Sequence, residues 1–381
     1  MARKLLIQDL KLKEFRNYHD LDFAFDQGIV SITGPNGVGK TNILEGLSLL
    51  VPGRGIRSVK LAELDHNDQD AQFKINWQVS ANIESKRGKK LIELTRSVLD
   101  EDKRCEKLIK IDGELLKNKS NIGYYMSMVW LVPQMDFIFI ASAGERRRFI
   151  DNIVDDFFPS HSTNLHQFEH FMRERMKILR EGEGRGYDKV WLSSVEHSMS
   201  QLAVAITSER LDSLAQLNSS MSDIPSDFLR AQIRMKGFLE DLFQENTSLA
   251  VEEKYRNILE ANRAMDASSH RTSSGPHLSD LEVINLVTGS NASACSTGEQ
   301  KSLLISIKFA EVIAKDRWHG ILPVILLDDI ISHLDSKRRL AMLESLISLD
   351  AQSFITCTNL EELGPASSKF QKLILNSLAV A

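Results

Sequence analysis

The sequence predicts an α/β fold of the phosphate-loop type, split by an inserted and mostly helical lobe. Residues 34–41 match the pattern G-x-x-x-x-G-K-[ST] and lie between a predicted strand at 28–33 and a predicted helix at 42–50. A second apolar strand, at 322–327, ends in Asp328 and Asp329. Since magnesium-dependent phosphate chemistry needs the loop and the acidic strand side by side, the core must close around an insertion.

The amino-terminal part, residues 1–142, is predicted to place an antiparallel sheet next to the phosphate loop. Apolar and polar residues alternate there, as at Phe73, Ile75, Trp77 and Val79. An Asp112-Gly113 pair gives a turn signal in the last strand. The predicted strands of this part, besides the one before the loop, cover residues 5–15, 21–25, 73–79, 91–99 and 107–116.

The central part, residues 143–267, is predicted to form the helical lobe. One apolar stripe recurs there at steps of three and four residues, and a core helix explains it better than a long coiled coil, because Glu209 ends the heptad pattern after about two repeats. The stripe consists of Leu192, Val195, Met199, Leu202 and Ile206. Breaks are predicted at 181–186 and 222–225, and a loop at 268–276 closes the lobe.

The carboxyl-terminal part, residues 268–381, returns to α/β character. A helix is predicted at 301–315, ahead of the acidic strand. A further buried strand is predicted at 353–358.

The composition predicts a cytoplasmic protein with a large core. At 381 residues the chain is longer than one ordinary domain. Its hydrophobic content of 42% is ample for a packed core. No window approaches about 18 uncharged apolar residues, and the first residues lack the apolar run of a signal peptide. Three separated cysteines predict reduced thiols rather than a disulfide framework or a zinc site. The net charge of −5 argues against a constitutive, strongly basic nucleic-acid binder but leaves room for a local basic surface.

The loop at 34–41 is suited to bind ATP with Mg²⁺. A strand that runs into a glycine loop and a helix aims successive N–H groups at one point, where an anion is stabilised. Lys40 can reach the outer phosphates, and the Thr41 hydroxyl can ligate the metal. An ordinary glycine-rich turn is disfavoured by the flanking strand and helix. The expected nucleotide contacts are Gly34, Asn36, Gly37, Gly39, Lys40, Thr41 and Asn42.

The two aspartates after the second strand are expected to complete the catalytic site. Asp328 is expected to hold Mg²⁺, and Asp329 to orient the attacking water or accept its proton. Taken alone, the pair would be a solvated acidic turn. The complete phosphate loop favours the catalytic interpretation.

The segment 295–301 resembles the signature of ABC-type ATPases, in which a serine, a glycine and a helix N-terminus contact the γ-phosphate of a nucleotide on the opposite subunit. Ser296 can donate a hydrogen bond, Gly298 allows close approach, and the helix dipole favours an anion. The alternative is an N-cap at Ser296 with Glu299 in a capping box. The neighbouring motifs favour the signature, with Ser296, Gly298 and Glu299 as nucleotide contacts. Residues 332–335 occupy the position of an ABC D-loop.

Further segments give a more specific resemblance, to the RecF family of SMC-like, ABC-type ATPases. They are Phe15-Arg16-Asn17-Tyr18, 53–57, 144–151, Gly275-Pro276-His277 and 327–339. The resemblance covers nearly the whole chain and implies an ABC-type ATPase head without the long coiled coil of SMC proteins. It also implies a weak, DNA-stimulated ATPase that forms a homodimer on ATP.

The same resemblance implies a role in DNA repair and DNA replication. A member of the family is expected to bind single-stranded DNA where it meets a duplex, and to act in recombinational gap repair, replication restart and the SOS response. Its implied partners are RecO and RecR, with which it helps to load RecA. No membrane partner is expected.

Five residues receive roles by their position in the resemblance. Arg16 is expected near the nucleotide phosphates, and Gln134 is expected as the Q-loop glutamine, at the metal and the attacking water. The alternative for Gln134 is a polar residue in a proline-containing turn. Arg146, Arg147 and Arg148 are DNA-binding candidates, but successive helix residues point in different directions, and a solvated or salt-bridged role is equally open.

The sequence also departs from the family pattern. His333 replaces the usual glutamate, and Leu278-Ser279 replaces the usual polar pair after Gly-Pro-His. These departures leave the regulation of hydrolysis open. Tyr18 could stack on a base or belong to the core.

The nearest alternative is an ABC-type ATPase subunit of another system, a transporter or an SMC-like complex. The transporter version is disfavoured because the insertion is too long for a transporter helical subdomain. A small-molecule kinase is disfavoured because a monomeric kinase needs no γ-phosphate contact from a second subunit.

Overall fold

The computed structural model describes residues 5–26, 28–66, 76–98, 105–117, 119–182 and 186–375. The β-strands are β1 (Leu6–Ile7), β2 (Asp9–Phe15), β3 (Tyr18–Ala24), β4 (Ile29–Thr33), β5 (Gln78–Ser85), β6 (Gly88–Val98), β7 (Cys105–Ile111), β8 (Glu114–Leu115), β9 (Met128–Leu131), β10 (Ala231–Lys236), β11 (Asp280–Asn285), β12 (Val324–Leu327), β13 (Ser353–Cys357) and β14 (Gln371–Ile374). The α-helices are α1 (Lys40–Ser48), α2 (Ala143–Phe157), α3 (His161–Glu181), α4 (Lys189–Ser220), α5 (Phe238–Glu245), α6 (Ser248–Ala261), α7 (Arg263–Ser269), α8 (Thr297–His319) and α9 (Ser336–Leu349).

The chain forms two compact units. The phosphate-loop unit consists of Met1–Asp136, Asp223–Phe228 and Glu311–Ala381, and the lobe unit consists of Phe137–Ser222 and Leu229–Ala310. The division into three parts at residues 142 and 267 stays a prediction. In the part of the chain that the structure describes, no helix is long and apolar enough to cross a membrane.

A parallel sheet carries the phosphate loop. Its strand order is β14-β4-β13-β12-β9, and every neighbouring pair is parallel. All residues of β4, β12 and β13 are buried, as expected for strands covered on both faces. The carboxyl ends of parallel strands meet at one edge, so the phosphate loop after β4 and the aspartates after β12 share that edge. The predicted split core is confirmed.

The predicted antiparallel sheet is also present in the phosphate-loop unit. Its strand order is β3-β2-β5-β6-β7-β8, with β1 paired to β5. The predicted turn between β7 and β8 is confirmed, because Asp112 and Gly113 have φ angles of 51° and 83°. Phe73 and Ile75 of the predicted third strand lie outside the described residues. Trp77 is fully buried, and its ring meets Phe15 edge-on with centroids 5.9 Å apart.

A buried lysine ties this sheet to the helix that follows the phosphate loop. The Nζ atom of Lys107, in β7, donates to the carbonyl oxygens of Leu49, Val51 and Gly53, each at 3.1 Å. These carbonyls follow the last turn of α1, where a cation is favoured by the helix dipole. The antiparallel sheet therefore helps to fix α1 and the loop before it.

The lobe unit is built around α4. Four residues of its apolar stripe lie in one buried cluster with Phe168 and Tyr255, and the fifth, Leu202, packs against that cluster. Helix α4 is therefore a core helix, and no long coiled coil is present among the described residues. Asp188 caps this helix by accepting hydrogen bonds from the N–H groups of Val190 and Trp191.

The lobe is less uniformly helical than the sequence pattern indicated. Strand β10 lies inside the stretch that the sequence pattern predicts as helix, and it pairs antiparallel with β11. Buried Ile233 and Met235 alternate with exposed Arg234 and Lys236, which is a strand pattern. Helix α7 also extends to Ser269, into the stretch predicted as loop.

Candidate nucleotide-binding site

The phosphate loop folds around the ammonium group of Lys40. Gly39 is the N-cap of α1 and lies in the left-handed region, at φ 102°. The Nζ atom of the buried Lys40 donates to the carbonyl oxygens of Gly34 at 2.6 Å and Pro35 at 2.9 Å. These bonds hold a positive charge within the loop, at a helix N-terminus where an anion is also favoured.

Position 39 requires glycine because Asn17 and Tyr18 pack against the loop. A Cβ atom there would lie 2.5 Å from both Asn17 Nδ2 and the Tyr18 hydroxyl. The same two groups donate to the carbonyl oxygen of Val38, at 3.3 and 3.4 Å. Burial raises the pKa of Tyr18 to about 12. Tyr18 is thus a core residue that supports the loop.

Arg16 lies next to α1, where a buried carboxylate holds it. Its Nε and Nη2 atoms donate to the two carboxylate oxygens of Glu45, at 2.8 and 2.7 Å, and Glu45 is 1% exposed. Arg57 donates to the same carboxylate at 3.2 Å and to Asn42 Oδ1 at 2.9 Å. These arginines, Asn42 and His66 help to line a cleft of about 480 Å³. Contact of Arg16 with the phosphates stays a prediction.

The acidic strand brings Asp328 to the phosphate loop. The Thr41 hydroxyl donates to Asp328 Oδ1 at 2.9 Å, although the two residues are 287 positions apart in the chain. Thr356, at the end of β13, donates to the same oxygen at 2.9 Å. Asp328 is 6% exposed, so both donors help to satisfy a buried carboxylate.

Asp329 has different surroundings from its neighbour. It is half-buried and has a left-handed backbone, at φ 49°. Its N–H group donates to Thr356 Oγ1 at 2.8 Å. The Ser332 hydroxyl lies 2.9 Å from both the carbonyl oxygen and Oδ1 of Asp329. The two carboxylates therefore have different partners, although Thr356 contacts both residues.

The residues present fit a magnesium ion whose remaining ligands come from a nucleotide and water. In nucleotide sites Mg²⁺ takes one or two protein ligands and fills its remaining positions with phosphates and water. Thr41 and Asp328 supply such a set. Across the described ranges, no group of three or more His, Cys, Asp or Glu could hold a metal ion by itself.

Gln134 lies at the same edge of the parallel sheet. It follows β9, whose pairing with β12 sets Leu131 opposite Leu327, and it is exposed in the 3₁₀ helix Pro133–Ile140. This position suits a Q-loop glutamine and a polar turn residue equally. Its contact with metal or water stays a prediction.

Ser296 begins α8 with a capping box. The Glu299 N–H donates to Ser296 Oγ at 3.4 Å, and the Ser296 N–H and hydroxyl donate to Glu299 Oε2 at 2.9 and 2.7 Å. The alternative that the sequence left open is thus present. It does not exclude the signature role, because Ser296 is exposed at a helix N-terminus, where a phosphate could replace the carboxylate. Contact of Ser296, Gly298 and Glu299 with a nucleotide stays a prediction.

Two of the three arginines proposed for DNA are engaged within the lobe unit. Arg146 donates to both carboxylate oxygens of Asp280, at 2.8 and 2.6 Å. Arg147 donates to the carbonyl oxygen of Ser279 at 2.7 Å. Arg148 is exposed. The salt-bridged interpretation describes Arg146, and Arg148 has the exposure that a DNA contact needs.

Sequence reasoning missed Glu45, Arg57 and Thr356. Glu45 shows only as an acidic residue in a helix that is otherwise apolar on its inner face. Thr356 shows as a β-branched residue in a strand, which is ordinary. Arg57 lies in a segment that the family resemblance includes, without a role assigned to it.

The arrangement defines an SMC-like, ABC-type ATPase head. The family described as RecF/RecN/SMC N terminal domain matches residues 6–375. The fold is similar to an Smc head domain with an extended coiled coil from Pyrococcus furiosus, solved bound to the C-terminal domain of ScpA. That match has a TM-score of 0.51 and 17% identity, and covers 95% of this chain and 92% of the other.

Two further comparisons narrow this class. The DNA replication and repair protein RecF of Allorhizobium ampelinum is 34% identical over 373 residues, which are 97% of each chain. A solved structure of the recombination mediator protein RecF-ATPrS in the RecFOR pathway matches with a TM-score of 0.81 and 24% identity, over 95% of both chains. The chain belongs to the RecF family.

Proposed function

We propose that the chain binds ATP with Mg²⁺ and hydrolyses it weakly, with stimulation by DNA. The contact between Thr41 and Asp328 carries the proposal, because it joins the phosphate loop to the acidic strand. Contact with a buried carboxylate from a distant part of the sequence is not expected of a glycine-rich turn that binds no nucleotide. Family membership supports the same activity.

Each residue at this edge has a part in the proposed reaction. Lys40 and the loop N–H groups bind the outer phosphates, and Thr41 and Asp328 hold the metal, which neutralises charge that develops on the phosphates. Asp329 orients the attacking water or takes its proton, with Gln134 as a second polar group at the same edge. Ser296 and Gly298 of a second copy contact the γ-phosphate, so ATP binding favours a homodimer.

The proposed biological role is cytoplasmic recombinational gap repair and replication restart. The dimer binds DNA where a single strand meets a duplex, and helps to load RecA together with RecO and RecR. Support comes from the relative named as a DNA replication and repair protein, and from the structural neighbour named as a recombination mediator of the RecFOR pathway.

Replacing Lys40 by Ala tests the nucleotide site. The change removes the point charge that the loop offers to the phosphates, so ATP affinity should fall about 10- to 100-fold, and hydrolysis should be lost. Calorimetric titration with ATP and Mg²⁺, and phosphate release with and without gapped DNA, measure both effects. Lys13→Ala, at an exposed lysine of β2, is the control and should match the parent. A folded Lys40→Ala protein that still binds and hydrolyses ATP as the parent does would remove the basis of the proposal.

A further inference from the structure

A single hydroxyl group links the two aspartates of the acidic strand. Thr356 Oγ1 donates to Asp328 Oδ1 at 2.9 Å and accepts from the Asp329 N–H at 2.8 Å. Thr356 is 1% exposed. A hydroxyl can donate once and accept from another group at the same time, so both bonds can exist together. Valine, which has the same shape, could make neither bond.

The register of the parallel sheet delivers Thr356 to this place. Leu327, the last residue of β12, lies opposite Ile355 of β13. The next residue on each strand is therefore Asp328 on one side and Thr356 on the other. Strand β13 also pairs with β4, so Thr356 belongs to the strand between the phosphate loop and the acidic turn.

Asp329 needs such a partner because its backbone is left-handed. A non-glycine residue at φ 49° is in a sparsely populated conformation, which persists only where the surroundings fix it. The bond from its N–H to Thr356 is one contact that fixes it. The Ser332 hydroxyl, which lies close to the carbonyl oxygen and Oδ1, is another.

The two hydroxyls on Asp328 differ in what else they are expected to do. Thr41 leads into the proposed metal site, and its oxygen is expected to turn to the metal when nucleotide is bound. Thr356 is buried in the sheet and is not expected to bind the metal. It can keep Asp328 in place in both conditions.

We propose that Thr356 is a positioning residue for ATP hydrolysis, which sets the Asp328 carboxylate and the Asp329 backbone as one unit. This inference rests on the proposed roles of Asp328 in metal binding and Asp329 at the attacking water. Thr356 touches neither nucleotide nor water in this scheme. Its effect passes through the two acids.

The test compares Thr356→Val, which removes the hydroxyl at constant shape, with Thr356→Ser, which keeps it. In nucleotide-free protein, hydrogen–deuterium exchange at the Asp329 amide should be about tenfold faster in Thr356→Val, and close to the parent in Thr356→Ser. With ATP, Thr356→Val should need several-fold more Mg²⁺ for half-maximal binding and should hydrolyse about 10- to 100-fold more slowly. ATP binding without Mg²⁺ should be unchanged, since the phosphate loop is intact.

The chain offers a matched control in Thr207→Val. Thr207 is a fully buried threonine of α4 whose hydroxyl has no hydrogen-bond partner among the described residues. The same substitution there should leave Mg²⁺ dependence, hydrolysis and Asp329 exchange as in the parent. Should Thr356→Val fail to fold, Thr356→Ser and Thr356→Ala, which differ only in the hydroxyl, answer the same question.

Two results would overturn the inference. Unchanged exchange at Asp329 in Thr356→Val would show that the bond does not fix this backbone. Faster exchange with parental Mg²⁺ dependence and hydrolysis would show a contact without a positioning role. If the parent neither binds nor hydrolyses ATP, the proposed function fails instead, and the exchange measurement still reports on the contact.

Discussion

Asp328 and Asp329 are neighbours in sequence with different chemical settings. Asp328 is buried, and one of its carboxylate oxygens accepts hydrogen bonds from two threonine hydroxyl groups. Asp329 is half-buried, with a left-handed backbone and a serine hydroxyl at its carboxylate. A carboxylate that faces the phosphate loop suits a metal, and a partly exposed carboxylate one position further along suits a water molecule. The settings therefore agree with separate roles.

Substituting each aspartate by asparagine should separate binding from turnover. Asp329→Asn removes the water-orienting charge, so ATP binding should persist, hydrolysis should fall about 100-fold or more, and the ATP-bound dimer should accumulate. Asp328→Asn should also weaken Mg²⁺-dependent ATP binding. Nucleotide titration, phosphate release and light scattering distinguish the two outcomes. Indistinguishable behaviour of the two variants would contradict the division of roles.

How far the sequence could predict the site depends on the kind of contact. The loop from Gly34 to Thr41 and the two aspartates could be predicted because their chemistry is local and their spacing is fixed. Thr356 could not, because its role follows from the register of β13 with β12, which is a property of the paired strands. Glu45 could not, because only packing shows that it faces Arg16.

Elements were predicted best where the period of the pattern was long and uninterrupted. The stripe of α4 and the helix at 301–315, which is part of α8, gave helices close to the expected positions. Strands β10, β11 and β14 were not predicted, although β12, which is no longer than β14, was predicted. In β10 the alternation is complete, but helical pattern surrounds it on both sides and hides it.

Helices α2, α3 and α4 meet at a buried histidine that lies between two carboxylates. His161 is fully buried, with its ring nitrogens 2.6 Å from a Glu209 oxygen and 3.0 Å from Asp151 Oδ1. Arg210 forms two bonds to the same Asp151. Burial acts to lower the pKa of His161, but the bonds and charges of Asp151 and Glu209 outweigh it and raise that pKa above its usual value. The charged imidazolium is thus the form that the fold favours.

The stability that His161 contributes through Asp151 and Glu209 should be lost as the pH rises. Because the folded pKa of His161 is raised, the contribution is complete below the unfolded value of about 6.5 and disappears as pH rises through the folded value. His161→Gln should remove this loss and cost roughly 1–3 kcal/mol of unfolding free energy near pH 6, since it removes the cation between two partly buried carboxylates, of which Asp151 keeps its bonds to Arg210. Denaturant unfolding followed from pH 6 to 9 measures both.

The control for this change is His170→Gln, at an exposed histidine of the same helix α3. It should leave both the unfolding free energy and its pH dependence near those of the parent. A His161→Gln profile that keeps the parental alkaline loss would show that another group titrates.

Strands from the first and last parts of the chain form one sheet. The need to bring these two parts together made the general architecture predictable. Strand β4 comes from the first part and β12 and β13 from the last, yet they are neighbours in the order β14-β4-β13-β12-β9. The distance in sequence between the phosphate loop and the acidic strand therefore implies an insertion, because the two motifs have to meet. Strands β10 and β11 of the lobe unit carry no such requirement, so the lobe was predicted only as mostly helical.

Assembly of two copies is the property that the proposed function most depends on. Ser296 and Gly298 can contact a γ-phosphate held by another subunit only when two heads enclose ATP. Ser296→Arg should leave ATP binding to the monomer nearly intact and abolish ATP-dependent dimerisation. Light scattering with and without ATP measures the dimer.

Loss of the dimer should also remove tight binding to DNA. With a net charge of −5 the single chain has little non-specific attraction for phosphate backbones, so a basic surface has to be formed by assembly. The parent with ATP should bind gapped DNA with an affinity that falls steeply with salt, and Ser296→Arg should bind weakly at every salt concentration. Ser142→Arg is the matched control, because Ser142 and Glu145 form the same capping box at α2. Like Ser296→Arg, this variant loses the serine of a capping box and gains one positive charge, but it should still dimerise. If Ser296→Arg dimerises on ATP and binds DNA as the parent does, Ser296 only caps α8.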